Sequence, residues 1–136
     1  MSLPTSTPYY RTGKICYLEI PATNVSEAAQ FYQRVFGWHI RQHDDGATAF
    51  DDTTGQVSGM WVPGRLPANE PGLIVSIMVA DAAAISKAII AAGGEIVQPV
   101  NPAESLIYAL FRDPTGNILS IYQQAGLMEI EARQEA

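Results

Sequence analysis

EIPATNVSEAAQFYQRVFGW, residues 19–38, holds a complete helix with both of its ends. Asn24, followed three positions on by Glu27, makes a capping box in which each side chain can satisfy a backbone N–H left free in the first turn. Ala28, Phe31, Tyr32, Val35 and Phe36 recur at helical spacing as one apolar stripe, which predicts a helix over 25–36 that buries this stripe. Gly37 supplies the left-handed residue that commonly ends a helix.

A strand fits residues 14–20 ahead of the helix, and three short strands fit 38–43, 47–52 and 56–63 behind it. Asp44-Asp45-Gly46 and Thr53-Thr54-Gly55 serve as the turns between them. The order is β-α-β-β-β. PGRLPANEPG, residues 63–72, is the most Pro/Gly-rich internal stretch and reads as a linker. The same grammar then resumes: a strand, a helix capped by Asp81 with a stripe of Ile85, Ala88, Ile89 and Ala92, the pair Gly93-Gly94, and strands near 95–99, 105–112 and 117–123. Asn24 and Asp81, Gly37 and Gly94, and Gly59 and Gly116 all stand 57 positions apart, which points to a duplication. The expected fold class is therefore α+β: two tandem βαβββ modules, about 14–63 and 72–123, forming a curved mixed sheet around a cavity with the helices on its outer face. Residues 1–13 read as a flexible lead, and 124–136 as a tail able to add a helical turn or two.

A chain of 136 residues at 47% apolar content can bury one core without disulfides or metals. Its net charge of −6 argues against nucleic acid and anionic membrane surfaces as partners. No apolar run nears the ~20 residues of a bilayer span, and the opening MSLPTSTPYYRTG lacks a signal-peptide stretch, so the expected location is cytoplasmic. The single Cys16 fits a reducing compartment. Glycine-rich phosphate loops, a Gly-x-Ser-x-Gly elbow and paired Cys-x-x-Cys motifs are absent, so nucleotide cofactors, serine hydrolysis and structural zinc have no support in the sequence.

Side chains alternate along a strand, so parity sorts residues between the helix side and the cavity side. Cys16, Leu18 and Ile20, and likewise Val75, Ile77 and Val79, are expected under the helices, leaving Tyr17, Glu19 and Ser76 on the cavity. In the last strand of each module Met60, Val62, Leu119 and Ile121 are expected to face the helices, and Trp61, Ile118, Ser120 and Tyr122 the cavity. A mostly apolar concave surface with a few placed polar groups suits a small ligand. Glu19 is the candidate general base if burial raises its pKa, and otherwise a carboxylate held by an arginine, a backbone N–H or Tyr17. Trp61 either stacks on a ligand or fills core, and Trp38 is expected in the core. Tyr108 carries a hydroxyl that parity does not place on the cavity. His39, Arg41 and His43 share one strand face and read best as solvated surface, whereas Cys16 reads as an inert buried thiol.

The run at residues 19–38, together with FRDPTGNILSIYQ at 111–123, resembles the glyoxalase, bleomycin-resistance and extradiol-dioxygenase group, the vicinal oxygen chelate superfamily, over about residues 14–123. The resemblance implies paired βαβββ modules, frequent homodimers and, in many members, a divalent metal held by His, Glu or Gln on the first and last strand of each module. By spacing those positions fall on Tyr17, Ile74 and Ser120 and, through the 57-residue offset, on Pro63. None is an imidazole or a carboxylate, so no metal and no other cofactor is expected. The leading expectation is a homodimeric protein that binds a small organic molecule through Tyr17, Glu19, Trp61, Ser76, Ser120 and Tyr122 without a metal. The alternatives are a lyase, isomerase or dioxygenase of the same superfamily, either metal-independent with Glu19 as base or metal-dependent with displaced ligands, and a dimer or partner-binding module with a closed cavity.

Overall fold

The computed structural model describes residues 10–135, so most of the lead expected at residues 1–13 lies outside the described residues. The elements run β1 (Tyr17–Pro21), α1 (Val25–Phe36), β2 (His39–Gln42), β3 (Thr48–Asp51), β4 (Ser58–Val62), β5 (Ser76–Val79), α2 (Ala82–Ala91), β6 (Glu95–Gln98), β7 (Tyr108–Arg112), β8 (Ile118–Gln123) and α3 (Leu127–Glu135). Helix α1 occupies the predicted span. Asn24 Oδ1 accepts from the Glu27 N–H at 3.0 Å, and Gly37, at φ 72°, donates its N–H to the Gln33 carbonyl. Asp81 caps α2 in the same way, accepting from the Ala84 N–H at 3.1 Å. None of the helices among the described residues is long and apolar enough to cross a membrane.

The strands form two open, four-stranded mixed sheets, ordered β1-β4-β3-β2 and β5-β8-β7-β6. In each, the first and last strands of the module pair in parallel and the remaining pairs are antiparallel. The fold is thus α+β with two βαβββ modules. No strand of one sheet pairs with the other among the described residues; the modules meet through their helical layers instead. Phe111 of β7 lies 6.0 Å from Phe31 and 5.8 Å from Phe36, ring centre to ring centre, so one aromatic core serves both halves.

The Asp-Pro-x-Gly-Asn segment before β8 ties this junction together. Asp113 is buried and accepts at both oxygens: Oδ1 from the Thr115 N–H (2.9 Å), the Thr115 hydroxyl (3.1 Å) and the Asn117 N–H (3.0 Å), Oδ2 from the Asn117 amide (3.0 Å) and the Tyr32 hydroxyl (2.8 Å). Asn117 also donates to the Pro21 carbonyl at 2.6 Å and accepts from the Ala68 N–H at 2.8 Å, so one side chain joins β1, the linker and module two. Burial first, and then the charge and hydrogen bond of Asp113, push the Tyr32 phenol well above its ordinary pKa. Tyr32 therefore remains a donor across the neutral range.

The constant 57-residue offset does not survive in space. It holds at the N-caps, but β1 pairs Ile20 with Trp61 whereas β5 pairs Ile77 with Ile121, so the last strands correspond at an offset of 60. Gly59 lies inside β4 while Gly116 is a turn residue with φ 99°, so their match at 57 is coincidental. The extra length sits mainly in the β6–β7 connection, residues 99–107, which is longer than the β2–β3 connection, residues 43–47. A three-residue change is odd, and an odd slip exchanges the two faces of a strand. In β4 Trp61 consequently faces the helices and Met60 the opposite side, the reverse of the expected arrangement.

Candidate functional site: two open concave faces

On the side of each sheet away from its helix, strand pairing brings together side chains that are remote in sequence. In module one Tyr17 and Glu19 of β1, Ser58 and Met60 of β4, Asp51 of β3, and His39 and Arg41 of β2 share this face. Arg41 grips Asp51 with two bonds, Nε to Oδ2 at 2.9 Å and Nη2 to Oδ1 at 3.1 Å, and the Ser58 hydroxyl donates to Asp51 Oδ1 at 2.6 Å. The Ser58 hydrogen bond is the largest cause lowering the Asp51 pKa; partial desolvation opposes it, and Arg41 and the nearby His39 add to it. A depressed carboxylate pKa gives stability that is present above the unfolded value and lost as pH falls through the folded one. Thermal melts between pH 6 and 2 are therefore expected to show a smaller acid-side loss in Asp51→Asn than in the parent. Equal losses in the two proteins would remove Asp51 from that transition.

Glu19 lies on the expected face but is not buried. Its side chain is 44% exposed and pairs with Arg65 of the linker at 2.7 Å, which matches the reading of a carboxylate held by an arginine. The burial expected of a general base is absent. His39 and His43 are exposed, as expected for solvated surface.

Module two offers a groove of about 460 Å³ lined by Ile74, Ser76, Met78, Leu106, Tyr108, Leu110, Ser120 and Tyr122. It is apolar with four hydroxyls, and its large side chains face open space: Met78 is 59% exposed and Tyr108 39%. Ser76, Ser120 and Tyr122 stand together as expected, β5 pairing Ser76 with Ser120 and Met78 with Tyr122. Tyr108 pairs with Tyr122 and so belongs to this face, against the parity expectation. Its hydroxyl accepts from the Gln98 amide at 3.2 Å. Tyr17, 47% exposed, and Glu19 lie on the other module's face, so one chain does not gather all the expected ligand residues around one cavity.

Trp61 and Cys16 also depart from their expected places. Trp61 is 1% exposed, with its ring 4.8 Å from Phe50 and 5.9 Å from Tyr32, so it belongs to the helix-side core and not to the concave face. The β4 register places it there. Cys16 is exposed just ahead of β1, because the strand starts one residue after it, and is not a buried thiol.

The positions at which the resemblance implies a metal hold Tyr17, Ile74 and Ser120, and the observed register puts Met60, not Pro63, opposite Ser120 in the other module. A phenol, an alkyl chain, a hydroxyl and a thioether are not a donor set for a hard or borderline divalent ion. No group of three His, Cys, Asp or Glu side chains arranged to hold a metal occurs among the described residues. The residues present do not fit the metal of the resemblance.

The chain belongs to the Glyoxalase/Bleomycin resistance protein/Dioxygenase superfamily, whose family model spans residues 14–121. No curated protein is a significant match. Similar solved structures include hypothetical protein SA1046 from S. aureus, with a TM-score of 0.68 and 16% identity over 85% of this chain and 96% of that one. A glyoxalase/bleomycin resistance protein/dioxygenase family enzyme from Burkholderia phytofirmans gives 0.65 and 18% over 79% and 95%. Fosfomycin resistance protein FosX from Mesorhizobium loti gives 0.66 and 11% over 89% and 99%. At these identities the likeness is one of fold.

Proposed function

We propose that the protein binds a small organic molecule between concave sheet faces without a metal at the usual strand positions, and that a second copy of the chain completes the cavity. The observation that carries this reading is the module-two groove: apolar walls, four hydroxyls at fixed positions, and Ile74 and Ser120 where metal ligands would stand. Small-ligand sites have this composition. The open state of both faces supports the second copy, since a monomer seldom leaves large side chains such as Tyr17 on one face and Met78 and Tyr108 on the other exposed. In a two-fold dimer, module one of one copy would face module two of the other, giving two equivalent cavities. The polar wall with Arg41, Asp51 and Ser58 would then oppose the apolar wall with Met78 and Leu110, suiting a ligand with one polar and one apolar side. The ion pair of Glu19 with Arg65 favours a binding role for that residue over a base. An exposed, unpaired Cys16 suits the reducing interior of a cell, and the proposed location is cytoplasmic.

The test is titration of the EDTA-treated protein with 8-anilinonaphthalene-1-sulfonate, a dye that fluoresces in apolar sites. Saturable binding is expected, together with a dimer by sedimentation velocity. Met78→Glu, a change at an exposed strand position, is expected to weaken dye binding about tenfold or more by placing a charge on the apolar wall. Unchanged binding in that variant, or no saturable binding in the parent, rejects the proposed site.

A further inference from the structure

β1 and β5 stand at the outer edges of their sheets and do not pair with each other, and a cleft of about 720 Å³ lies between the modules there. Five elements build its apolar walls: Leu18 comes from β1, Phe36 from the end of α1, Ile77 from β5, Ile85 from α2 and Leu127 from α3, and all five are only half-buried. The cleft meets the module-two groove along β5 alone, sharing Ser76 and Met78 with it. Hydrogen bonds fix both of its ends. The Thr53 hydroxyl donates to the Phe36 carbonyl at 2.9 Å, which pins the β3–β4 turn to α1, and the Gln124 N–H donates to the Val79 carbonyl at 3.0 Å, which anchors the chain entering α3. Apolar clefts where two structural units meet are common places for small ligands.

The geometry points to a second binding site in this cleft, independent of the concave-face reading, for an apolar small molecule that carries one positive charge. The lining sets the sign. Its charged residues are Asp52 in the β3–β4 turn, Asp81 at the cap of α2 and Glu131 of α3, and it contains no Lys, Arg or His. None of the three carboxylates takes part in an ion pair among the described residues, so their charge is not neutralised within the chain. Leu127 and Glu131 stand four residues apart, so one face of α3 offers the cleft both an apolar contact and a carboxylate. The last turn of α1 and the first turn of α2 both border the cleft, and their opposite partial charges offset. The side chains therefore decide the local field, and the net charge of −6 on the whole chain acts in the same direction. A molecule of this class buries its apolar body on the walls while its charge stays beside the acidic side chains; an anion of the same shape meets repulsion instead.

The experiment titrates the full chain into rhodamine 6G, a cationic dye, and separately into fluorescein, an anion built on the same ring frame, and follows fluorescence anisotropy at low ionic strength. Saturable binding of rhodamine 6G is expected, with little or none of fluorescein. Ala84 is an exposed residue of the lining on α2, and Ala84→Phe is expected to weaken rhodamine binding about tenfold or more by filling the cleft. The double variant Asp81→Asn/Glu131→Gln removes two charges while keeping a capping side chain on α2, and a loss of about three- to tenfold is expected, shrinking as salt is added. Should Ala84→Phe fail to fold by circular dichroism, the exposed Glu131→Gln alone decides, with a loss of about two- to fivefold expected. Absent or unsaturable rhodamine binding, equal binding of fluorescein, or unchanged binding in the folded variants would each overturn the proposal. So would a response that fades as the protein is concentrated, which would mean that a second copy of the chain covers the cleft.

Discussion

Asp113→Ala is expected to lower folding stability by about 3–5 kcal/mol, because it strips the acceptor from several buried donors at once and each orphaned group costs roughly 1–3 kcal/mol. Tyr32 is fully buried, and Thr115 and Asn117 are nearly so, hence water cannot replace the lost carboxylate without opening the junction between the modules. Tyr32→Phe is the matched control. It removes one donor while Asp113 keeps its bonds to Thr115 and Asn117, so a loss of only about 1 kcal/mol is expected. Urea unfolding of the parent and both variants checks this. Comparable small losses in the two variants would mean that the Asp-Pro-x-Gly-Asn turn does not hold the modules together.

Gly59→Ala is expected to be at least as damaging, at about 3 kcal/mol or more, although it adds a single methyl group. A Cβ at this position in β4 would overlap the Leu18 carbonyl oxygen of the parallel partner β1 and the ring of Phe50. Overpacking a core typically costs about 1–3 kcal/mol when side chains can move aside; here one of the obstructing atoms is backbone in the same sheet. Gly72→Ala provides the contrast, since nothing lies within 4 Å of its added Cβ and its φ is not in the left-handed range. That variant should fall within about 0.5 kcal/mol of the parent in the same urea series. A Gly59→Ala protein as stable as Gly72→Ala would contradict the pairing of β4 with β1.

Helix α1 is legible in the sequence because everything that defines it is local: a cap, an apolar stripe and a left-handed glycine within a few turns of chain. The βαβββ order is legible for a similar reason, as turns and strands alternate at short range. The face of β4 is not, because it depends on which residue of β4 pairs with Ile20, and that register is set by loop lengths elsewhere in the module. Trp61 and Met60 were exchanged between faces by this one quantity, and the correct counterpart of Ser120 was hidden with them. Tyr108 failed the parity test on account of the same long-range pairing, visible only once it stands opposite Tyr122. The ion pair of Glu19 with Arg65 joins a strand to a linker residue far along the chain, and no spacing rule anticipates it. That the indole N–H of Trp61 finds no hydrogen-bond partner among the described residues is likewise a property of the packed core, invisible in composition or motif.

The reading of the concave faces as a metal-free ligand site rests on Tyr17, Ile74, Ser120 and Met60 standing where the resemblance implies metal ligands. Elemental analysis of protein purified without added metal, followed by thermal melts with zinc, nickel, manganese and iron(II), tests it most directly. The expected result is metal far below one equivalent per chain and melting temperatures unmoved by any of the four ions, because a ligand bound only by the native state would raise them with concentration. Near-stoichiometric metal, or a melting temperature that climbs with ion concentration, would contradict the account.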